Sequence, residues 1–89
     1  MGKRKALARA LTPQKLRYRV AMNVLRERKG AGLTVEAAAE IARISPRHWR
    51  KIEDGTCNVT LRTLVALGRA IGCDPVKLVQ VPPPAGPAS

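Results

Sequence analysis

Residues 34–55, TVEAAAEIARISPRHWRKIEDG, decide the fold. Thr34 is suited to cap a helix N-terminus, and Glu36 complements the positive end of that helix dipole. Val35, Ala38, Ala39 and Ala42 then recur on one helical face. A second start signal follows at once: Ser45 caps, and Pro46 takes the first helical position, where its missing N–H costs nothing. Trp49 and Ile52 point inward from this helix, and Gly55 closes it. Only a few residues around Arg43 and Ile44 join the two helices. Helices so briefly connected cross steeply rather than lie side by side. Close crossing requires small side chains at the contact, which Ala38, Ala39 and Ala42 supply. So far this describes any αα-corner, and the second helix is what distinguishes it. At about 100° per residue, Arg47, Arg50 and Lys51 fall within about 100° of arc, opposite Trp49 and Ile52. Arg43 adds charge just before the helix, and RISPRHWRK holds no acid. A short helix with three outward cations beside a steep turn meets the needs of a DNA major groove. It offers charge to hold phosphates and guanidinium forks to read guanine edges.

Working outward, an earlier helix carries Tyr18, Ala21, Met22 and Leu25 at i, i+3, i+4 and i+7 and ends at Gly30. After the quoted stretch, Thr60 caps a fourth helix whose stripe is Leu61, Leu64, Val65, Gly68 and Ile71, stopping at Gly72. A short fifth starts with the cap pair Asp74-Pro75, buries Val76 and Val79, and ends before Pro82. No segment sustains a two-residue alternation with β-branched enrichment. The expectation is an all-α, compact five-helix domain over residues 16–80. It is preceded by a basic N-terminal arm, 1–15, and followed by a disordered Pro-rich tail, 81–89. The arm carries Lys3, Arg4, Lys5, Arg9 and Lys15 with no acid. It reads equally as a segment that lies along a minor groove and as a fraying tail that raises nonspecific affinity. Residues 5–11, rich in Ala and Leu, also read as an extra helix.

The chain has 89 residues, room for one small domain, which excludes barrels, doubly wound sheets and two-domain enzymes. Its 17 Lys+Arg against 6 Asp+Glu leave a formal net charge of +11, far beyond what solubility needs, so a polyanionic partner is expected. Tyr18 and Trp49 are the sole aromatics, which disfavours single-strand binders that stack bases on aromatic platforms. No apolar run approaches the roughly 18 residues of a membrane span, and the N-terminus lacks the apolar stretch of a secretory signal. Cys57 and Cys73 fit a reduced cytoplasmic interior better than a disulfide scaffold. They also lack metal-ligand spacing, so no metal or other cofactor is expected. His48 is the lone histidine and lies on the flank of the third helix. Glu36 and Glu40 share a helix face without a nucleophile or base beside them, so no enzyme is expected either.

The stretch LRERKGAGLTVEAAAEIARISPRHWRKIEDG, continuing through LRTLVALGRAIGCDPVKLV, resembles the Cro/repressor (XRE-type) helix-turn-helix DNA-binding domain. The matching features are Leu25-Arg26, Gly32-Leu33-Thr34, Ala39, Ile44-Ser45 and Ile52-Glu53-Asp54-Gly55. Thr60, Leu64, Leu67, Ala70-Ile71-Gly72 and Leu78 also fit. Each is weak alone, and their order and spacing carry the resemblance. It implies that the third helix is the recognition helix, with Ser45, Pro46, Arg47 and Lys51 toward base edges. It also implies phosphate contacts from the start of the second helix (Thr34) and from the loop after the third (Thr56 and Asn58). Arg43, His48 and Arg50 join the phosphate-contacting set through their charge and position.

Three positions depart from the family pattern. Val35 stands where a DNA-contacting Gln is usual. Arg43 stands where a left-handed Gly is usual, and that conformation would cost an Arg on the order of 1 kcal/mol. Pro46 can touch a thymine methyl but donates no hydrogen bond, which leaves direct readout to Arg47 and Lys51. Glu53, in the last turn of its helix, faces the negative dipole end and needs a cationic partner. The resemblance implies Arg26 of the first helix as that partner in a structural ion pair.

The expected function is a sequence-specific double-stranded DNA-binding transcriptional regulator, a repressor acting as a homodimer in a bacterial or phage cytoplasm at the nucleoid. Leu67, Leu78 and Val79 are candidates for the dimer surface. The alternatives are an antitoxin-type regulator with a toxin as protein partner, and a basic RNA- or ribosome-associated module. A further protein partner in the transcription machinery is compatible with the first reading.

Overall fold

Among the described residues, a hydroxyl or carboxylate side chain precedes every helix and accepts a backbone N–H of its first turn. The computed structural model describes residues 11–84. Helix α1 spans Pro13–Gly30, with Thr12 accepting from Lys15 N at 3.1 Å. Helix α2, Val35–Ala42, starts at Thr34, which accepts from Ala37 N at 3.0 Å. Helix α3, Pro46–Glu53, starts at Ser45, which accepts from His48 N at 3.0 Å. Helix α4, Leu61–Ile71, starts at Thr60, which accepts from Thr63 N at 3.1 Å. Each such bond satisfies a donor the helix cannot pair internally.

A last element, Pro75–Val79, is a 3₁₀ helix capped by Asp74, whose carboxylate accepts from Val76 N at 2.9 Å. The described residues thus hold four α-helices and one 3₁₀ helix, where five α-helices were expected. The fifth start signal is correctly placed, but a five-residue run between Pro75 and Pro82 is too short to carry the i→i+4 ladder. No strand occurs among the described residues. Helix α1 opens within the stretch assigned to the basic arm. The rest of that arm, residues 1–10, and tail residues 85–89 lie outside the described residues, as does most of the proposed extra helix at 5–11.

α2 packs on both α3 and α4, α1 packs on α3, and the 3₁₀ helix closes over α1 and α4. Val20, Val24, Ala38, Ala39, Ala42, Trp49, Ile52, Leu67, Ala70, Ile71 and Leu78 form the core where these elements meet. Two predicted stripes are rotated relative to this core. In α1 the inward face is Val20, Ala21, Asn23 and Val24, while Tyr18 and Met22 are exposed. In α4 the inward residues are Leu67, Gly68, Ala70 and Ile71, while Leu61 and Val65 are exposed. Val76, expected inside, is exposed, and Leu78 is the buried residue of that element. Leu67 and Leu78 are both 0% exposed, which removes them as candidates for a dimer surface.

Two contacts set how the C-terminal element sits. A Cβ on Gly68 would meet the Cys73 carbonyl oxygen at 2.7 Å and the Pro75 ring at 3.2 Å, so glycine is required for α4 and the following turn to approach. Asn23 is buried on α1, and its Nδ2 donates to the Leu78 and Gln80 carbonyls at 3.0 and 2.8 Å. Those bonds satisfy carbonyls that a short 3₁₀ helix leaves free.

Candidate nucleic-acid interface

The three-residue connection between α2 and α3 is opened by Arg43, whose φ of 60° and ψ of 41° place it in the left-handed region. It is the one non-glycine residue with positive φ among the described residues. The Arg43 and Ile44 amides donate to the last turn of α2, to Glu40 and Ala39 carbonyls at 3.1 and 3.0 Å. That turn delivers the chain to Ser45 and sets the first turn of α3.

On α3, Trp49 and Ile52 are only 0% and 1% exposed, so the rod cannot rotate about its axis without leaving the core. The opposite face, Pro46, Arg47, Arg50 and Lys51, is exposed as the arc of cations required, and His48 is half-buried on its flank. Ser45, Arg47, His48 and Lys51 line one shallow depression with Cys57 of the following loop. The candidate base-reading side chains Ser45, Arg47 and Lys51 therefore share one surface. Pro46 lies at the exposed start of the same helix.

The candidate phosphate contacts are distributed around this surface. Thr34 is exposed at the α2 N-terminus with its hydroxyl oxygen engaged in the cap. Thr56 donates its hydroxyl to the Lys51 carbonyl at 3.3 Å, which ties the loop to the end of α3. Asn58 Oδ1 accepts from Arg17 Nη1 at 2.7 Å, so α1 brings a further cation to this loop. The Nδ2 end of Asn58, the end that donates to phosphate, is not used in that bond. Arg43 lines a different depression, between the end of α2 and α4, together with Arg69.

Glu53 has a cationic partner, but the partner is Arg28 and not Arg26. Arg28 Nε donates to Glu53 Oε2 at 2.6 Å and Nη2 donates to Oε1 at 3.1 Å, a bidentate pair with both side chains about nine-tenths buried. Trp49 Nε1 donates to the same carboxylate at 2.6 Å. Arg28 Nη1 also reaches the Leu33 carbonyl at 2.9 Å, so one guanidinium joins α1, the turn before α2, and α3. The hydrogen bond to Glu53 raises the Arg28 pKa above its ordinary value, against the opposing effect of burial. Arg26 instead meets its neighbour Glu27 at 3.3 Å. The reason is helical phase: Val20, Val24 and Arg28 follow one another at i, i+4 and i+8 on the core-facing side. Two residues back, Arg26 is turned about 200° away.

Arg50 takes part in a further ion pair. Its Nη2 donates to Glu36 Oε2, an ion pair that links the two helices of the turn motif on the exposed surface. Glu36 is held below its ordinary pKa of 4.5, first by its own backbone N–H in the first turn of α2 and then by Arg50. Nothing in the spacing of 36 and 50 signalled this pairing, because it depends on how two separate helices cross. The available hint was an acid in the first turn of one helix and a cation on the adjoining flank of the next.

Among the described residues, no group of three or more His, Cys, Asp or Glu is placed to hold a metal. No helix there is long and apolar enough to cross a membrane. A family model described as a helix-turn-helix domain matches residues 21–80. The chain is also similar to the crystal structure of the clp gene regulator ClgR from C. glutamicum. That similarity has a TM-score of 0.68 at 25% identity and covers 71% of this chain and 82% of the other. No curated protein sequence gives a significant match.

Proposed function

The chain belongs to the helix-turn-helix domain family, and from that premise we propose that it is a Cro/repressor-like (XRE-type) transcriptional regulator that reads double-stranded DNA with α3 in the major groove. The observation that carries this reading is the two-sided character of α3. Trp49, Ile52 and the Arg28–Glu53 pair lock one side to the body, while Arg47, Arg50 and Lys51 stand exposed on the other. A fixed rod with free guanidinium and ammonium ends spends little conformational entropy when it docks.

In this reading Arg47 and Lys51 donate to guanine O6 and N7, with Ser45 adding a hydroxyl and Pro46 an apolar contact to a thymine methyl. Thr34, Arg43, His48, Thr56 and Asn58 position the module on the phosphates, and Arg50 joins them by exchanging Glu36 for phosphate. One such module buries little surface, so a homodimer on a pseudo-palindromic site supplies the specificity a repressor needs. Its place of action is the cytoplasm of a bacterium, or of a cell carrying a phage, at the nucleoid. The clp gene regulator, similar in fold, supports a role in transcription.

The test is selection of a preferred site from a random duplex pool, then titration of that duplex and of a structured RNA at several salt concentrations. The expected result is salt-sensitive binding that favours the selected duplex over random duplex and over RNA. Tighter binding to RNA would replace this reading with the RNA-associated one. On the selected site, Arg47→Ala is expected to cost about 1–3 kcal/mol and to relax base choice.

A further inference from the structure

The chain has 17 Lys+Arg and only 6 Asp+Glu, so the placement of each acid carries information. Glu53 answers Arg28 inside the fold, Glu27 answers Arg26 and Lys77, Asp74 caps the 3₁₀ helix, and Glu40 and Asp54 form no ion pair among the described residues. Glu36 alone among the described acids pairs with a cation of the exposed α3 face. Neither partner is needed for packing, since 62% of the Glu36 side chain and 54% of the Arg50 side chain are exposed. An ion pair this exposed contributes little to stability. The N-terminus of α2 favours an acid in its first turn, but nothing in that local role requires the carboxylate to engage Arg50.

We propose that Glu36 is an electrostatic brake on DNA binding: by engaging the Arg50 guanidinium, it withholds one of the three outward cations of α3 from sequence-independent attraction to phosphate. The proposal rests on the DNA-binding reading above. Nonspecific complexes are held by phosphate contacts, each of which releases counterions. Arg50 can join such a contact only by leaving Glu36, and the carboxylate is then stranded beside a polyanion. With a net charge of +11, attraction to any duplex is strong, and withholding one cation lowers it.

Fluorescence anisotropy with a random-sequence duplex at several salt concentrations tests this. Glu36→Gln is expected to bind about twofold to fivefold tighter at low salt, with a log K against log salt slope steeper by about 0.9. Arg50→Ala is expected to remove that gain in the Glu36→Gln background and to cost much less in the wild type. Thermal unfolding of Glu36→Gln should stay close to the wild type, so that the binding change is not a folding change. The brake is overturned if Glu36→Gln binds random duplex no tighter, if it gains on the selected site alone, or if Arg50→Ala costs the same in both backgrounds. Normal wild-type duplex binding with any of those results removes the brake and leaves the DNA reading intact. A wild type without salt-sensitive duplex binding removes both.

Discussion

Glu53 lies at the unfavourable end of its helix, where unpaired carbonyls already concentrate negative charge. It is stable there because two Arg28 N–H groups and the Trp49 indole N–H converge on one carboxylate. Removing one member of a pair this buried leaves an uncompensated charge, so Arg28→Ala is expected to cost about 3 kcal/mol in urea unfolding. Arg26→Ala, losing only a partly exposed contact to Glu27, is expected to cost about 0.5 kcal/mol or less. Equal costs for the two would contradict the assignment of the partner. That Glu53 needed a cation was legible from its place in the sequence. Which cation answered it was not, since the choice between positions 26 and 28 turns on the rotation of α1. Placing the inward face on Val20 and Val24 would have led directly to Arg28.

At the scale of elements, starts were more legible than faces. A cap is a local event: one side-chain oxygen and one amide two or three residues on, and Thr34, Ser45, Thr60 and Asp74 all act where the residues imply. A buried face depends on what lies opposite. In α1 the inward side includes the polar Asn23, justified only by the Leu78 and Gln80 carbonyls it meets. In α4, Leu61 and Val65 remained outside because the other elements cover the Leu67 and Ile71 side. Gly68 shows the same dependence. In isolation Ala favours a helix interior over Gly by about 1 kcal/mol. Here the Cys73 carbonyl lies 2.7 Å from where the methyl would go, and that oxygen is backbone. Gly68→Ala is therefore expected to destabilise the domain by about 1–3 kcal/mol in thermal unfolding. A gain in stability would mean that the turn after α4 yields without cost. Arg43 is the converse case: the sequence raised the question of a left-handed Arg, and the connection adopts that conformation with a φ of 60°.

Across the whole molecule, charge and architecture are separable. The excess of basic residues determines that the surface attracts polyanions but not which surface docks. The fold supplies that choice, by burying Trp49 and Ile52 and leaving Arg47 and Lys51 outside. Composition, caps and the short α2–α3 connection were enough to indicate an all-α domain with a crossing helix pair. The arrangement around it, Arg17 on Asn58 and Glu36 on Arg50, arises only when distant segments meet. The most direct test of the account is an NMR titration of isotope-labelled protein with the selected duplex, following every backbone amide. The account predicts that the largest shifts fall at Ser45 to Lys51, with smaller ones at Thr34, Thr56 and Asn58. Shifts concentrated on α4 and the 3₁₀ helix, with the amides of α3 unmoved, would contradict it.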